Sequence, residues 1–477
     1  VLVPLGASGL CGGGDASRGT ARRWDAWRRD FVCGAGCAER EPELERALAP
    51  WADWAAENGT GLDSLELVWG FCNAQRSCKD CFVMLVLWRG DVYARECRAN
   101  SLFEPALYLI GPEDLSLVLV ILLAAQRAAP LPDWPLAVAM YLSDFTCLAD
   151  RHHVGPGIPI FAYLRRETTW LIPWPSSFTL HSTFTVELSR DRSATRRPSG
   201  ALDAGPGGDA GGIAGGGAAW ASRDARAYWI GTITGPWEIV PDAALSAVPR
   251  LQLLRLARDH PAQLKVEWSG TANYGISWVH DGDSIMGFRG NATRRIDELT
   301  GIKKSSYKLL DGWGHFKYYL NIDGVVMGGR FNKLLAAGGV VLQHEAGYYE
   351  HNSALAQPYE HYVPIRYDLS DLVAKVKWLQ EHDEEAAAIA RRGQELALRR
   401  MRLEDELCYV WRALEGLAVR TAPRAPADAG AVDARLAALQ FKRASAVNGT
   451  MRGSLEAFWG ARLEDVRTGD RQMSAGG

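Results

Sequence analysis

The sequence predicts an α/β protein with two lobes and with C-terminal helices that pack back across the lobes. The segment FKYYLNIDGVVMGGRFNKLLAAGGVVL, residues 316–342, is typical of a strand, a glycine-rich loop, a helix and a second strand, which is one unit of a parallel sheet. Short apolar strands also occur in the first half of the chain, and a low-complexity segment separates the halves. Amphipathic helices follow the last predicted strand.

The first half of the chain contains a disordered segment and one lobe. Residues 1–22 are rich in Gly, Ala and Ser, which predicts disorder or a linker. Residues 23–185 form the first lobe, where LAVAMYLSDF (136–145) is a strand that ends on a polar pair and IPIFAYL (158–164) is another strand. Residues 186–222 contain SGALDAGPGGDAGGIAGGGAA, an insertion without core-forming residues.

The second lobe covers residues 223–380. It begins with AYWIGTITG (227–235), a strand that runs into a glycine turn. The helix LQLLRLARDHP (251–261) follows, and Pro261 stops it. The strand–loop–helix–strand unit comes next, and HYVPI (361–365) is a further short strand.

Helices are predicted to close the fold. Asp368 is the predicted N-cap of LSDLVAKVKWLQEHDEEAAAIARRGQELALRRM, with Asp371 in the capping-box position. Residues 381–420 form the closing helices. Residues 421–477 begin with the linker TAPRAPADAGA and carry no clear pattern.

Composition places the chain among globular proteins and argues against some partners. Of the 477 residues, 47% are hydrophobic and 23% are charged, and the net charge of −3 gives no reason to expect nucleic acid or an anionic membrane as a partner. The apolar segment LSLVLVILLAA (115–125) is about half as long as a membrane span, so we expect a buried helix with Asp114 as its N-cap. Because the chain begins with Val1, we expect a targeting segment or anchor to precede it.

The cysteines favour disulfides over zinc. Nine of them lie at positions 11, 33, 37, 72, 78, 81, 97, 147 and 408. Cys78 and Cys81 have the spacing of a zinc-ligand pair, but no second CxxC or HxxxH pair follows at zinc-site spacing. Disulfides are expected if the chain enters the secretory pathway. Three N-glycosylation sequons support that route, at Asn58, Asn291 and Asn448.

Two other groups of residues could bind a metal, and for each another interpretation is stronger. Asp281 and Asp283 form an Asp-x-Asp motif, but HDGDS is more typical of a turn. Asp150, His152 and His153 are close in sequence, but neighbouring histidines on a loop point in different directions. The sequence therefore predicts no metal site.

Arg330 stands where the helix of the 316–342 unit should begin. A cation at a helix N-terminus opposes the helix macrodipole at a cost of up to about 1 kcal/mol. An anion between Arg330 and the free N–H groups of the helix would remove this conflict. The sequence therefore predicts an anion-binding loop before this helix.

Motifs in the second half resemble those of glycosyltransferase family 90, which includes the Rumi-like protein O-glucosyltransferases and the capsule-associated xylosyltransferases. Within residues 317–411 the resemblance is carried, in order, by KYYLNIDG, GGRFNKLLAAGGVVL, YYE, EHYVPIRYDLSDLVAKVKWLQEHDEEA, ARRGQELA and CYVW. Weaker matches extend it to residues 90–420, among them LPDWPLAVAMYLSDF, IPIFAYLRRETTWLIPWPSSFTL and AYWIG.

This resemblance implies a fold of GT-B type, with two Rossmann-like lobes. It implies an inverting transfer of glucose or xylose from a UDP-sugar to a protein or glycan hydroxyl, without a bound metal or other cofactor. It also implies the lumen of the endoplasmic reticulum or Golgi, or secretion, with no nucleic-acid partner and no membrane contact within this chain.

The resemblance assigns roles to individual residues. Asp144 matches the general base, which takes the proton of the acceptor hydroxyl. Arg330 would neutralise the charge that develops on the UDP leaving group, and Glu350 would bind the ribose hydroxyls. The donor-binding residues implied as a set are Gly231, Thr232, Val325, Val326, Met327, Gly328, Gly329, Arg330 and Glu350.

The chain departs from the family pattern at three donor-side positions. Gly328 replaces a serine, Ile230 replaces an arginine or lysine, and Ile233 replaces a second arginine. These losses favour one alternative, a catalytically weak member that binds glycans or client proteins, whereas the retained Asp144 and Arg330 oppose it. A separate alternative is an unrelated α/β nucleotide-binding protein.

The resemblance also suggests a disulfide. Cys408 precedes the aromatic pair of CYVW, where the family pattern implies a bridge to an N-terminal cysteine, either Cys33 or Cys37. Such a bridge would close a loop of several hundred residues and stabilise the fold by roughly 2 to 5 kcal/mol.

Overall fold

The computed structural model of the chain describes residues 44, 47–51, 65–70, 82–96, 122, 134–141, 159–162, 171–174, 219–233, 248–271, 296–298, 300–305, 310–324, 330–401, 403–420 and 428–443. These residues divide into two compact units. One unit contains the described residues before 178 and after 403, and the other contains those from 219 to 403. Each unit is built on one β-sheet with helices, so the predicted α/β class is confirmed.

The described elements follow one another along the chain with these bounds. The strands are β1 (Phe82–Trp88), β2 (Asp91–Glu96), β3 (Leu136–Tyr141), β4 (Ile160–Ala162), β5 (Ile172–Pro173), β6 (Asp224–Ile233), β7 (Leu264–Thr271), β8 (Phe316–Asn321), β9 (Val340–Glu345), β10 (Val363–Arg366) and β11 (Lys442–Arg443). The α-helices are α1 (Pro249–Asp259), α2 (Phe331–Ala336), α3 (Leu372–Glu381), α4 (Asp383–Arg400), α5 (Leu403–Arg420) and α6 (Ala429–Ala438). Short 3₁₀ helices lie at Ala49–Trp51, Trp220–Ser222, Leu310–His315 and Ser353–Leu355.

The first unit contains a mixed six-stranded sheet in the order β11-β2-β1-β3-β4-β5. β1 pairs antiparallel with β2 and with β3, whereas β3, β4 and β5 are parallel. Arg89 and Gly90 join β1 to β2 with φ angles of 51° and 74°. Two positive φ angles are typical of the two-residue turn that matches the twist of a β-hairpin.

The end of the described chain returns to the first unit. The Asp428 side chain caps α6 by accepting hydrogen bonds from the backbone N–H groups of Gly430 and Ala431. Val432 and Leu436 of α6 are buried in the core of this unit. β11 then pairs antiparallel with β2. Residues 428–443, for which the sequence shows no clear pattern, thus form a helix and an edge strand.

The second unit contains five parallel strands in the order β10-β9-β8-β6-β7. Numbered within the unit, this order is 5-4-3-1-2, a doubly wound arrangement in which the winding direction reverses between the first and third strands. Here those strands are β6 and β8. Open α/β sheets bind ligands beyond the carboxyl ends of their strands, next to such a switch point.

Aromatic side chains fill the core of the second unit. Tyr228, Trp229, Trp268, Trp313 and Tyr319 are each at most 1% exposed. The Trp313 ring makes edge-to-face contacts with Tyr228 at 5.1 Å and with Tyr319 at 5.7 Å between centroids. Burial of each large apolar ring contributes roughly 1.5 to 3 kcal/mol, so these aromatic residues stabilise the sheet that carries the switch point.

The segment that was predicted as one long C-terminal helix forms two helices, α3 and α4, and the first of them begins later than predicted. Its N-cap is Asp371, whereas Asp368 accepts a hydrogen bond from the Ser370 N–H in the preceding turn. The prediction of Asp368 as the N-cap was therefore wrong by one turn. His382, with φ −117° and ψ 55°, separates α3 from α4.

Several sequence predictions lie outside the described residues. They include the cysteine side chains, the three sequons, the Asp-x-Asp motif at 281–283 and residues 150–153. Of the apolar segment 115–125, only Leu122 is described, and it is helical and buried. Within the described part of the chain, no helix is long and apolar enough to cross a membrane.

Candidate functional site

The carboxyl ends of β6 and β8 separate at the switch point. The two strands pair only as far as Tyr228 and Tyr319, although β6 continues to Ile233 and β8 continues to Asn321. Each strand stays paired with its other neighbour to its last residue, β6 with β7 and β8 with β9. A gap in the backbone ladder therefore opens at the place where the fold favours a ligand.

Arg250 bridges the two separated strands. It is the second residue of α1, and its guanidinium donates hydrogen bonds to three carbonyl oxygens: those of Thr232 (2.7 Å), Ile322 (3.0 Å) and Asp323 (3.0 Å). Its Cζ atom also lies 5.6 Å from the Trp229 ring centroid. One side chain thus ties the end of β6 to the residues after β8 and brings a positive charge to the switch point.

Arg330 enters the same gap from the N-cap position of α2. Its Nη1 atom donates to the Ile230 carbonyl oxygen at 2.7 Å, and its Cζ atom lies 5.3 Å from the Trp313 ring centroid. The guanidinium therefore extends over the sheet, and these contacts hold it there without the anion expected in front of the helix. That anion stays a prediction. Burial, and after it the charge of Arg330, lowers the pKa of the nearby Lys333 ammonium.

His344 and Asp323 form a buried pair beside these arginines. The His344 Nδ1 atom lies 3.2 Å from the Asp323 Oδ2 atom, and the His344 Nε2 atom lies 2.9 Å from the Tyr367 carbonyl oxygen. The two side chains are 0% and 5% exposed. The Tyr367 ring stacks on the imidazole with 5.1 Å between centroids. The pair thereby connects the ends of β8, β9 and β10.

Glu350 lies on the loop that follows β9 at the same edge of the sheet. It is 5% exposed, and its backbone N–H donates to the Ser353 Oγ atom at 2.8 Å. Two residues later the buried Asn352 Nδ2 atom donates to the Asn332 Oδ1 atom, at 3.1 Å, in the first turn of α2. This bond ties the Glu350 loop to the helix that begins after Arg330.

The predicted residues of β6 contribute through their backbone. A Cβ atom on Gly231 would lie 2.7 Å from the Trp229 ring, so only glycine fits there without a shift of the indole. Ile230 and Ile233, which replace basic residues of the family pattern, are 1% and 3% exposed in the core. The cations at this gap therefore come from the two arginines rather than from β6.

The structure brings four of the predicted site residues to one edge of the second sheet: Gly231, Thr232, Arg330 and Glu350. Asp144 and residues 325–329 lie outside the described residues, so their roles stay predictions. In the described ranges no three His, Cys, Asp or Glu residues cluster as metal ligands would.

Sequence reasoning missed Arg250, Asp323 and His344. Arg250 carries a signal that could have revealed it, because it is a cation in the first turn of a helix that follows a strand, the same conflict that marks Arg330. Asp323 and His344 carry no such local signal, since their pairing depends on the neighbouring positions of β8 and β9.

The chain matches one family model over most of its length. The model described as Glycosyl transferase family 90 matches residues 119–458. This range includes all the predicted site residues.

Curated relatives match shorter segments. Protein O-glucosyltransferase 3 of Mus musculus is 34% identical over an alignment of 178 residues that covers 32% of this chain and 35% of that protein. Protein O-glucosyltransferase 2 of Danio rerio is 45% identical over 94 residues, 20% of this chain and 19% of that protein. Protein O-glucosyltransferase 1 of Rattus norvegicus is 25% identical over 190 residues, 40% of this chain and 41% of that protein. Each match thus spans less than half of the relative.

Proposed function

The chain belongs to glycosyl transferase family 90, and from this premise we propose that it transfers a sugar from a UDP-sugar to a hydroxyl of a protein or glycan. We propose an inverting transfer without a bound metal, by a fold of GT-B type with two Rossmann-like lobes. The observation that carries the proposal is the pair of arginines, Arg250 and Arg330, in the gap between β6 and β8.

The arginine pair suits a nucleoside diphosphate leaving group. Negative charge grows on the diphosphate when its bond to the sugar breaks, and positioned cations stabilise that charge. A metal ion supplies this charge in many transferases, whereas guanidinium groups also match phosphate geometry with paired N–H donors. Arg250 and Arg330 bind the backbone carbonyls of the two separated strands, so their positions are set by the sheet itself.

Asp144 is the proposed general base. In an inverting reaction the acceptor hydroxyl attacks from the side opposite the leaving group, and a base must take its proton. Asp144 follows β3 by three residues, and β3 is one of the parallel strands of the first unit. A carboxylate after the end of such a strand is in the usual position for a site residue of an α/β fold.

The remaining donor contacts would come from the two loops after β8 and β9. Glu350 would accept hydrogen bonds from the ribose hydroxyls, and residues 325–329 would line the diphosphate. Gly328 stands where the family pattern has a serine, so one hydroxyl donor is absent from this loop. The backbone of Gly231 and Thr232 would lie beside the diphosphate.

The donor sugar is proposed to be glucose or xylose, and the acceptor a protein or glycan. Three relatives carry the name protein O-glucosyltransferase, which favours glucose and a protein acceptor. The proposed location is the lumen of the endoplasmic reticulum or Golgi, or outside the cell, in agreement with the three sequons.

A second candidate function is binding without efficient catalysis. Ile230 is 1% exposed in the apolar core, at a position where the family pattern has a cation, and Gly328 removes a donor. A chain with a weakened donor site could bind a glycan or a client protein instead. UDP affinity and turnover separate the two candidates.

The test is a panel of donors assayed on the purified protein with a chelator present. UDP-glucose, UDP-xylose, ADP-glucose and GDP-mannose are each incubated with the protein, and the released nucleoside diphosphate is measured. We expect release from UDP-glucose or UDP-xylose, unchanged by the chelator, and none from the other two. If the protein neither binds UDP nor cleaves any UDP-sugar, the transferase proposal fails and the binding function replaces it. Activity lost with the chelator and restored by a divalent cation would refute metal independence.

A further inference from the structure

His344 is a fully buried titratable residue for which the proposed reaction has no chemical role. Its side chain is 0% exposed, and it lies in β9 beneath the stacked ring of Tyr367. Histidines are common as acids, bases and metal ligands, but this one faces protein groups on both ring nitrogens. Its place in the structure therefore calls for another explanation.

The hydrogen-bond partners of His344 fix the orientation of its ring. The Tyr367 carbonyl oxygen can only accept, so the Nε2 atom at 2.9 Å must carry a hydrogen. On the other side, the Nδ1 atom faces a carboxyl oxygen of Asp323 at 3.2 Å. The ring is thereby held from both sides and cannot rotate without breaking a buried hydrogen bond.

Asp323 connects His344 to Arg250. Its carboxyl group faces His344, and its backbone carbonyl oxygen accepts a hydrogen bond from the Arg250 Nε atom at 3.0 Å. Arg250 in turn binds the Thr232 carbonyl oxygen at the end of β6. The network thus runs from the Tyr367 backbone after β10, through β9 and the end of β8, to β6. It crosses the carboxyl ends of four of the five strands.

We propose that His344 is a positioning residue for the donor diphosphate: through Asp323 it holds Arg250 in the orientation that binds the phosphate groups. This inference rests on the proposed function, because it assumes that a UDP-sugar occupies the switch point. It assigns to His344 no contact with the donor. Its effect is therefore confined to the part of the ligand that Arg250 faces.

The experiment compares two ligands and two histidine variants by calorimetry. UDP and uridine differ only in the diphosphate, so the ratio of their dissociation constants measures how well the protein binds that group. In His344→Gln both donor hydrogens lie on one nitrogen, so the side chain cannot reach both acceptors. We expect this variant to weaken UDP binding by roughly 3- to 30-fold, which lies within the range for coupled residues of one network, with uridine affinity unchanged.

The control is His382→Gln, at an exposed histidine. His382 also stacks on an aromatic ring, that of Trp378 at 4.9 Å, and its Nδ1 atom also lies near a backbone carbonyl oxygen, at 2.8 Å. It sits between α3 and α4, next to Asp383, which pairs with Lys317 near the start of β8. The control should leave both affinities unchanged.

A second variant covers the case in which His344→Gln does not fold. Asp323→Asn keeps the size of the side chain and its backbone contact but changes the group that faces the His344 Nδ1 atom. This variant should also weaken the binding of UDP more than that of uridine. Equal losses for UDP and uridine, or no loss in either variant, would overturn the positioning role. If the wild-type protein binds uridine and UDP equally, or binds neither, the proposed function itself has failed, which is a separate result.

Discussion

The two edges of the second sheet contain the same contacts in different settings. At the carboxyl edge, Arg330 donates to the Ile230 carbonyl oxygen at 2.7 Å and lies 5.3 Å from the Trp313 ring centroid. At the amino edge, Arg223 donates to the Gly338 carbonyl oxygen at 2.6 Å and lies 5.9 Å from a tryptophan ring, that of Trp220. Contacts of this kind therefore do not by themselves mark a ligand site.

The backbone around the two arginines makes the difference. Arg223 directly precedes β6. At the same amino edge, the Nζ atom of Lys317 in β8 forms a salt bridge of 2.6 Å with Asp383. Arg330 instead lies where β6 and β8 have separated. The comparison teaches that strand order, rather than the identity of a side chain or its contacts, decides which edge is suited to a ligand.

The largest predicted effect concerns Asp144, which follows β3 in the sequence, and β3 pairs in parallel with β4 in the first unit. Asp144→Asn keeps the shape of the side chain but removes the proton acceptor. We expect sugar transfer to fall by about a hundred- to ten-thousandfold, the usual effect of losing a general base. UDP affinity, measured by calorimetry, should stay at the wild-type value. Transfer above a tenth of the wild-type rate would exclude Asp144 as the base.

The arginines of the two edges provide the next test. Arg330→Ala removes a charge-assisted contact to phosphate worth about 1.5 to 3 kcal/mol, so UDP should bind roughly 10- to 150-fold more weakly. Arg223→Ala removes the same kind of protein contacts at the amino edge and should leave UDP affinity unchanged. Urea unfolding of both variants controls for stability, which we expect to fall by similar amounts. Equal UDP affinities in the two variants would contradict the assignment of the donor to the carboxyl edge.

A smaller effect should distinguish the ribose-binding part of the carboxyl edge from its diphosphate-binding part. Glu350→Gln keeps a hydrogen-bond acceptor but removes the charge that would bind the ribose hydroxyls, so affinity should fall by roughly fivefold, about 1 kcal/mol. Because uridine also has the ribose, its affinity should fall as much as that of UDP, unlike in Arg330→Ala. A loss confined to UDP would show that Glu350 acts on the diphosphate instead.

The smallest effect concerns the amino edge alone. Lys317→Met removes the salt bridge with Asp383, whose side chain is 46% exposed, while the lysine side chain is 10% exposed. We expect a loss of about 1 kcal/mol or less in the free energy of unfolding, because solvent screens such a pair. UDP affinity and transfer should not change. Reduced UDP affinity in this variant would mean that the two edges are coupled.

Sequence patterns predicted six of the eleven described strands, β3, β4, β6, β8, β9 and β10, because apolar runs with glycine or proline stops are local signals. The strands β1, β2, β5, β7 and β11 were not predicted. The unit at 316–342 appears as β8, α2 and β9, and the described residues of the predicted strand at 136–145 form β3. The break between α3 and α4 was not predicted, since EHDEEAAA has good helix formers on both sides of His382. The prediction also gave no strand order, because pairing between distant strands leaves no trace in a single segment.

The same limit explains which site residues were found. Arg330 and Glu350 follow strands within recognisable motifs, so position along the chain was enough. Arg250 and His344 gain their roles only from neighbours far away in sequence, such as Ile322 and Tyr367. An unusual residue at the start of a helix was a usable signal for Arg250, whereas a histidine within a strand was not.

The gap between β6 and β8 also determines how the second unit should open under thermal motion. Backbone bonds join the two strands only up to Tyr228 and Tyr319. Beyond that point the Arg250 side chain links Thr232 of β6 to the residues that follow β8. Local opening favours regions where fewer hydrogen bonds must break. We therefore expect β6 and β8 to separate first at their carboxyl ends. A ligand that binds both arginines would make this separation less frequent. The protein with UDP bound should therefore resist proteolysis better than the protein without a ligand.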